Sequence, residues 1–210
     1  MHGLINRSIQ CFVTETHGEA AWASVAREAG VERSGFEALQ TYDDAVTTAL
    51  LGAAVRVLDK SQGRMLEDIG TWLVTNRQPD TVRRLLRFGG VDFVEFLHSL
   101  EDLPDRVRLA VNDLDLPAME VMEHAPGCFT VTLGAGTLGF GPVLLGLVRA
   151  MADDYGALAV IEQTVIEPTG GEPTLIGQTG GGAGPEVLAV RLFQTDYAQG
   201  RDFQLGAGAR

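Results

Sequence analysis

The segment Gly134-Ala135-Gly136-Thr137-Leu138-Gly139 spells G-x-G-x-x-G. In that run glycine lets the backbone turn tightly against a pyrophosphate at a helix N-terminus. It follows an alternating stretch, Phe129 to Leu133, and precedes an apolar helical stretch that begins at Pro142. Glu162 stands where an acid could hold a ribose hydroxyl. In this reading Gly134 makes the turn, Gly136 admits the pyrophosphate and Gly139 packs the helix. A dinucleotide fold needs further strand–helix crossovers, however, and the residues after Glu162 read as strand and loop. A flexible strand-to-helix turn explains the same letters.

The remaining reactive side chains are few. The four histidines are His2, His17, His98 and His124, and the two cysteines, Cys11 and Cys128, lie far apart. Neither set has metal-ligand spacing, so no metal site is expected, and two lone thiols suit a reducing compartment. Glu15 with His17, and Glu123 with His124, could exchange protons, but such near neighbours diverge along a helix or strand. No Ser-x-x-Lys, Gly-x-Ser-x-Gly or His-Glu-x-x-His run occurs. No catalytic residue is therefore assigned, and the chain reads as a non-enzyme.

Composition narrows the partners. The chain has 210 residues, 45% hydrophobic, with a formal net charge of −12, which suits one well-packed globular domain or two small ones. Nucleic-acid affinity comes largely from cations that displace counterions. Here Lys60 is the only lysine, and the densest basic group is Arg83, Arg84 and Arg87. Nucleic acid and anionic membrane surfaces are accordingly excluded. Arg7 interrupts any signal-peptide run, and Arg56 and Arg149 break the two most apolar stretches. A cytoplasmic protein without a membrane span is expected.

Apolar spacing predicts helices over Gly3–Thr16, Gly18–Glu28, Tyr42–Leu58, Arg64–Val74, Thr81–Phe88 and Val91–Asp102. Pro104 then forces a break near Asp102, with a restart through Asp105, Val107 and Leu109, or else a sharp kink. Strands are predicted at Met119–Glu123 and Phe129–Leu133 about an Ala125-Pro126-Gly127 turn, then a helix over Pro142–Asp154. Further strands follow at Ala157–Ile166 and Val187–Gln194, with a glycine-rich loop over Thr169–Pro185. Helices followed by strands around one helix make an α+β fold.

Taken together, the anchors resemble a family. Met1-His2-Gly3-Leu4-Ile5-Asn6 with Ile9, Phe12-Val13, Gly18 and Trp22 resembles the start of the haem–nitric oxide/oxygen binding (H-NOX) domain. Tyr42-Asp43-Asp44, Leu50-Leu51 with Ala53-Ala54, and Leu66-Glu67-Asp68-Ile69-Gly70 leading to Leu73-Val74 continue the match. Phe96-Leu97 to Leu100 resembles the family's proximal helix, and Pro117 its following proline. Gly139-Phe140-Gly141-Pro142 and Gly146-Leu147-Val148 resemble its later helix. The resemblance covers roughly residues 1–165. It implies one domain over 1–210, with a helical distal part of about 1–64 packed on an α/β proximal part of about 65–210 that carries a small antiparallel sheet. It also implies a haem-centred gas sensor that signals to a partner histidine kinase or nucleotide cyclase.

In that family a proximal-helix histidine ligates iron, and a Tyr-x-Ser-x-Arg motif holds the haem propionates. Counting on from Phe96-Leu97, the ligand position falls on Pro104, which has no side-chain donor. The clamp falls on Leu133, Ala135 and Thr137. His98 lies six residues before Pro104, a rotation of about 240° net on one helix, so it faces elsewhere. Cys11 would serve only in a rebuilt pocket. The resemblance therefore implies a stand-alone sensor fold that has lost histidine-ligated haem. It would instead bind another apolar ligand or act by protein contact. Ile5, Leu73, Leu97, Leu100, Pro104, Pro117, Leu133 and Leu145 are expected around the vacated space, or equally as plain core. The alternatives are a haem gas sensor with non-standard ligation, and nucleotide binding through Gly134–Gly139.

Overall fold

The computed structural model describes residues 1–76, 81–111, 113–134, 139–165 and 186–193. Caps decide where the first helices lie. α1 (Gly3–His17) starts at His2, whose Nδ1 accepts the Leu4 N–H. α2 (Glu19–Ala29) ends on Gly30 in the left-handed region, which glycine adopts without a Cβ penalty. α3 (Asp44–Leu58) begins one residue later than a first-turn Asp43 requires. The Asp43 carboxylate instead accepts the Ala45 N–H and caps the helix. α4 (Gln62–Thr75) is capped by Ser61, and α5 is the short helix Thr81–Arg87.

Pro104 acts further upstream than its position suggests. α6 spans only Phe93–His98, and α7 restarts at Leu103–Ala110 with Pro104 in its first turn. Without an N–H, Pro104 cannot donate to the Leu100 carbonyl, the bond a continuous helix needs. The chain answers with tighter turns: Leu100 N–H donates to Leu97 O, Asp102 to Ser99 O and Leu103 to Leu100 O. The Ser99 hydroxyl also donates to Phe96 O at 2.7 Å. The predicted helix over Val91–Asp102 is thus shortened at both ends.

Four strands follow: β1 (Met119–Ala125), β2 (Cys128–Leu133), then, after helix α8 (Phe140–Tyr155), β3 (Ala159–Val165) and β4 (Glu186–Leu192). They form one sheet in the order β1-β2-β4-β3, every neighbouring pair antiparallel. Since β2 and β3 both oppose β4, they run the same way, joined through α8 with β4 inserted between them. That arrangement is not the parallel-neighbour unit on which a dinucleotide fingerprint sits. Ala135 to Leu138, and the predicted loop Thr169–Pro185, lie outside the described residues. β3 starts two residues later than the pattern predicts. Gly156 ends α8 in the left-handed region, and Ala157 N–H still bonds back to Ala152 O.

Two hydrophobic clusters result. The first gathers α1, α2, Phe36, α3 and Met65, Leu66 and Ile69 of α4. The second gathers Val74, α5, α6, Leu103, the sheet's inner face and most of α8. α4 and α8 join them at very close range. A Cβ on Gly70 would lie 2.0 Å from the Val143 carbonyl oxygen, and one on Gly146 1.9 Å from that of Glu67. Only glycine permits this crossing. The Thr71 hydroxyl, between the Glu67 and Gly146 carbonyl oxygens at 3.2 and 3.3 Å, and the Arg149–Glu67 ion pair hold it in place.

Candidate functional site

The residues expected around a pocket do not share one lining. Leu97, Leu100, Leu133 and Leu145 all belong to the second cluster, and Pro104 and Pro117 are buried. Ile5 and Leu73 are only partly buried and pack against the first cluster instead. Helical periodicity tells which face of α1 or α4 is apolar, but not which neighbour it meets. Ala135 and Thr137 lie outside the described residues.

The second cluster is tightly closed around the α6–α7 joint. Phe93, Phe96, Leu97, Leu100, Leu144 and Met151 have no accessible surface at all. A side chain facing a void large enough for water would keep some. Pro104 is buried in the first turn of α7, directly after Leu103 of this cluster.

No imidazole is buried in this cluster. His2 caps α1, and His17 ends α1 edge-on to Phe12. His98 is exposed and touches Phe129 edge-on from outside, with ring centroids 5.6 Å apart. The His124 Nε2 and the Thr130 hydroxyl are paired at 2.7 Å. Cys11 and Cys128 are free and half-buried, and burial pushes the Cys11 thiol above its ordinary value. The polar donor inside the cluster is Tyr155, and its hydroxyl already donates to Gly90 O at 2.8 Å. Met119 and Met151 bring thioethers into the cluster. Among the described residues, no group of three or more histidine, cysteine, aspartate or glutamate side chains could hold a metal ion.

A charged network secures the far end of α8. Asp154 binds Arg83 and Arg87 of α5, the latter through Nε at 2.6 Å, and Arg87 also donates to the Asp154 carbonyl at 2.7 Å. The Arg87 guanidinium lies 4.2 Å over the Tyr155 ring, a favourable cation–π position. Burial alone would raise the Asp154 carboxyl, but hydrogen bonds from Arg83 and Arg87 outweigh it and hold the group below the usual carboxylate range. Burial pushes the Tyr155 hydroxyl up. Arg106 ties the same region together, donating to Leu85 O and Ser99 O. Within the basic group Arg83, Arg84 and Arg87, Arg83 and Arg87 are thus structural ties.

The first cluster differs in kind. It buries Asn6 completely, and Asn6 Oδ1 accepts the Thr47 hydroxyl at 2.7 Å while its Nδ2 has no partner. Val143 of α8 joins Ile5, Trp72 and Leu73 as partly exposed apolar surface along this cluster. Val143 was not among the expected lining residues. Its signal was the glycine crossing, which brings α8 onto α4.

Comparison with known proteins is consistent with this architecture. The family model described as Haem-NO-binding (HNOB) matches residues 2–163. The ferrous, unliganded H-NOX protein from K. algicida superposes with a TM-score of 0.73 at 18% identity, covering 94% of this chain and 99% of that one. The nitric-oxide-ligated H-NOX protein from S. oneidensis gives 0.69 at 14% identity, covering 92% of this chain and 100% of that one. Two curated Drosophila melanogaster relatives, Soluble guanylate cyclase 89Da and 89Db, are 22% and 19% identical over 90% and 75% of this chain. The alignments cover 27% and 24% of their lengths, so this chain spans about a quarter of each.

Proposed function

The chain belongs to the haem-NO-binding (HNOB, or H-NOX) family, and on that premise we propose that it is a cytoplasmic, non-catalytic signalling domain that does not hold haem through histidine. The observation that carries this reading is Pro104. It occupies the position assigned to the axial ligand, it is buried, and it offers no nitrogen lone pair. A histidine-ligated haem needs an imidazole facing it; His2 caps α1, His98 and His124 are exposed, and His17, whose buried Nε2 has no partner, lies against Phe12 of the other cluster. Leu133 likewise replaces a hydroxyl-bearing clamp residue and is spent on core packing. The residues present do not fit a histidine-ligated haem.

The domain instead senses an apolar ligand, or acts by protein contact alone. Ile5, Leu73 and Val143, partly buried against the first cluster, offer apolar surface for such a ligand. The two fly relatives carry guanylate cyclase in their names, so a nucleotide cyclase is the partner class favoured, with a histidine kinase as the other. A second reading is haem with non-standard ligation, through Cys11 in a rebuilt pocket or a cluster thioether such as Met119 or Met151.

Titrating hemin into purified protein and recording absorption with and without nitric oxide separates these readings. The proposal expects no saturable Soret band and no shift with nitric oxide. A saturable, nitric-oxide-sensitive Soret band overturns it. Among the described residues, no helix is long and apolar enough to cross a membrane.

A further inference from the structure

α1, α2 and the loop after α2 enclose an open groove of about 270 Å³, well away from Pro104 in sequence. Its useful walls are Gln10, Cys11 and Glu15 from α1, Glu19 and Trp22 from α2, and Arg33 from the loop. The frame is fixed. Phe36 N–H donates to Gln10 Oε1 at 3.1 Å, and the Trp22 indole N–H donates to the Arg33 carbonyl at 3.0 Å. Gly35 takes φ +94° against the Gln10 amide, where any Cβ would collide. The loop is thereby seated on α1 and α2 through its backbone, leaving the side chain of Arg33 free at the rim.

The rim charges are the informative feature. Glu19 and Arg33 are exposed, of opposite sign, and line one groove, yet Arg33 forms no ion pair with Glu19 or Glu15. Glu15 Oε2 accepts the Asn76 amide N–H at 2.5 Å. Burial pushes the Cys11 thiol up, against the opposing pull of the neighbouring Arg7 guanidinium. Glu15, Glu19 and Arg33 line the groove, with Arg7 hydrogen-bonded to Cys11 at its floor, so a molecule carrying both charges finds a partner for each. The cation would meet Glu15 and Glu19, and the anion the fork of Arg33. The volume is just below the usual range of roughly 300–1,000 Å³ for drug-sized ligands, which favours a small metabolite.

We propose that this groove binds a small zwitterion of the amino-acid class, its ammonium on Glu15 and Glu19 and its carboxylate on Arg33. The site is independent of the haem question. It bears on signalling through Glu15, because Asn76 follows the helix that joins the two clusters. A ligand ammonium at Glu15 competes with that amide.

The test is a chain-length series of glycine, β-alanine, 4-aminobutyrate and 6-aminohexanoate, titrated across the millimolar range and followed by backbone amide NMR. One length should saturate best and move resonances of α1, α2 and Arg33. Butyrate and butylamine, each with one charge, should bind at least about tenfold more weakly, as should the best zwitterion to Arg33→Gln or Glu19→Gln. Both side chains are exposed, so the variants should keep the wild-type spectrum elsewhere. Absence of saturation for every length, or equal binding by the single-charge compounds or by the variants, overturns the assignment.

Discussion

The two clusters are built from similar residues, each closely packed at its centre, and differ in the polar groups they bury. Around α6, α7 and α8 the side chains close on each other until Phe93, Phe96, Leu97 and Leu100 keep no accessible surface, and the buried Tyr155 hydroxyl is satisfied by Gly90 O. Around α1 and α3 the packing surrounds an asparagine with an unmet donor, and its edge at Ile5, Trp72, Leu73 and Val143 stays partly open. Family resemblance puts iron ligation on the first of these sides, the one that is sealed here. On the proposed reading, the fold keeps its architecture while the half that carries the family's chemistry serves as core. Ligand capacity then remains where polar groups and open apolar edges persist.

Substitutions can break that contrast. The largest effect is expected for Phe96→Ala in the sealed cluster, where the ring contacts Phe93 and Tyr155. A loss of about 3–5 kcal/mol in urea unfolding is predicted, as for large aromatic truncations in rigid cores. A loss below about 1 kcal/mol would mean that the cluster is not closely packed. Next comes Gly146→Ala at the joint between the clusters. The new Cβ would overlap the Glu67 carbonyl, and a cost of about 2–3 kcal/mol is expected from forced overpacking. An unchanged midpoint would show that α4 and α8 can separate freely.

Polar changes should be smaller. Thr47→Val leaves Asn6 Oδ1 without its donor and should cost about 1–2 kcal/mol. Combining it with Asn6→Leu should restore most of the loss, since removing both partners avoids a stranded group. If the double variant is as unstable as the single, Asn6 serves a purpose other than this pair. Asp154 provides the pH test. Its folded-state carboxyl is held below the ordinary value, so its contribution is present above the unfolded value of about 3.9 and disappears as pH falls through the lower, folded one. Stability of the wild type should therefore decline below about pH 4 more steeply than that of Asp154→Asn. Parallel acid limbs would remove Asp154 from the account.

Element identity was largely legible because the caps are local: His2, Asp43, Ser61 and Asp92 each bond within their own first turn. The break before α7 was legible for the same reason, although its retreat to His98 depended on which carbonyl Pro104 left unserved. Partnership was less legible. Leu73 and Leu97 look alike in an apolar stripe, yet they join different clusters because the Gly70–Gly146 crossing fixes how α4 meets α8. The rim groove was invisible because Gln10 meets Phe36 and Trp22 meets Arg33 across intervening helix and loop.

The central claim is that the side carrying Pro104 no longer holds the family's cofactor. Its most direct test is the haem-to-protein ratio, by pyridine haemochromogen assay, of the full chain expressed with ample haem precursor. The account predicts colourless protein without stoichiometric haem. Protein purified with close to one haem per chain would contradict it.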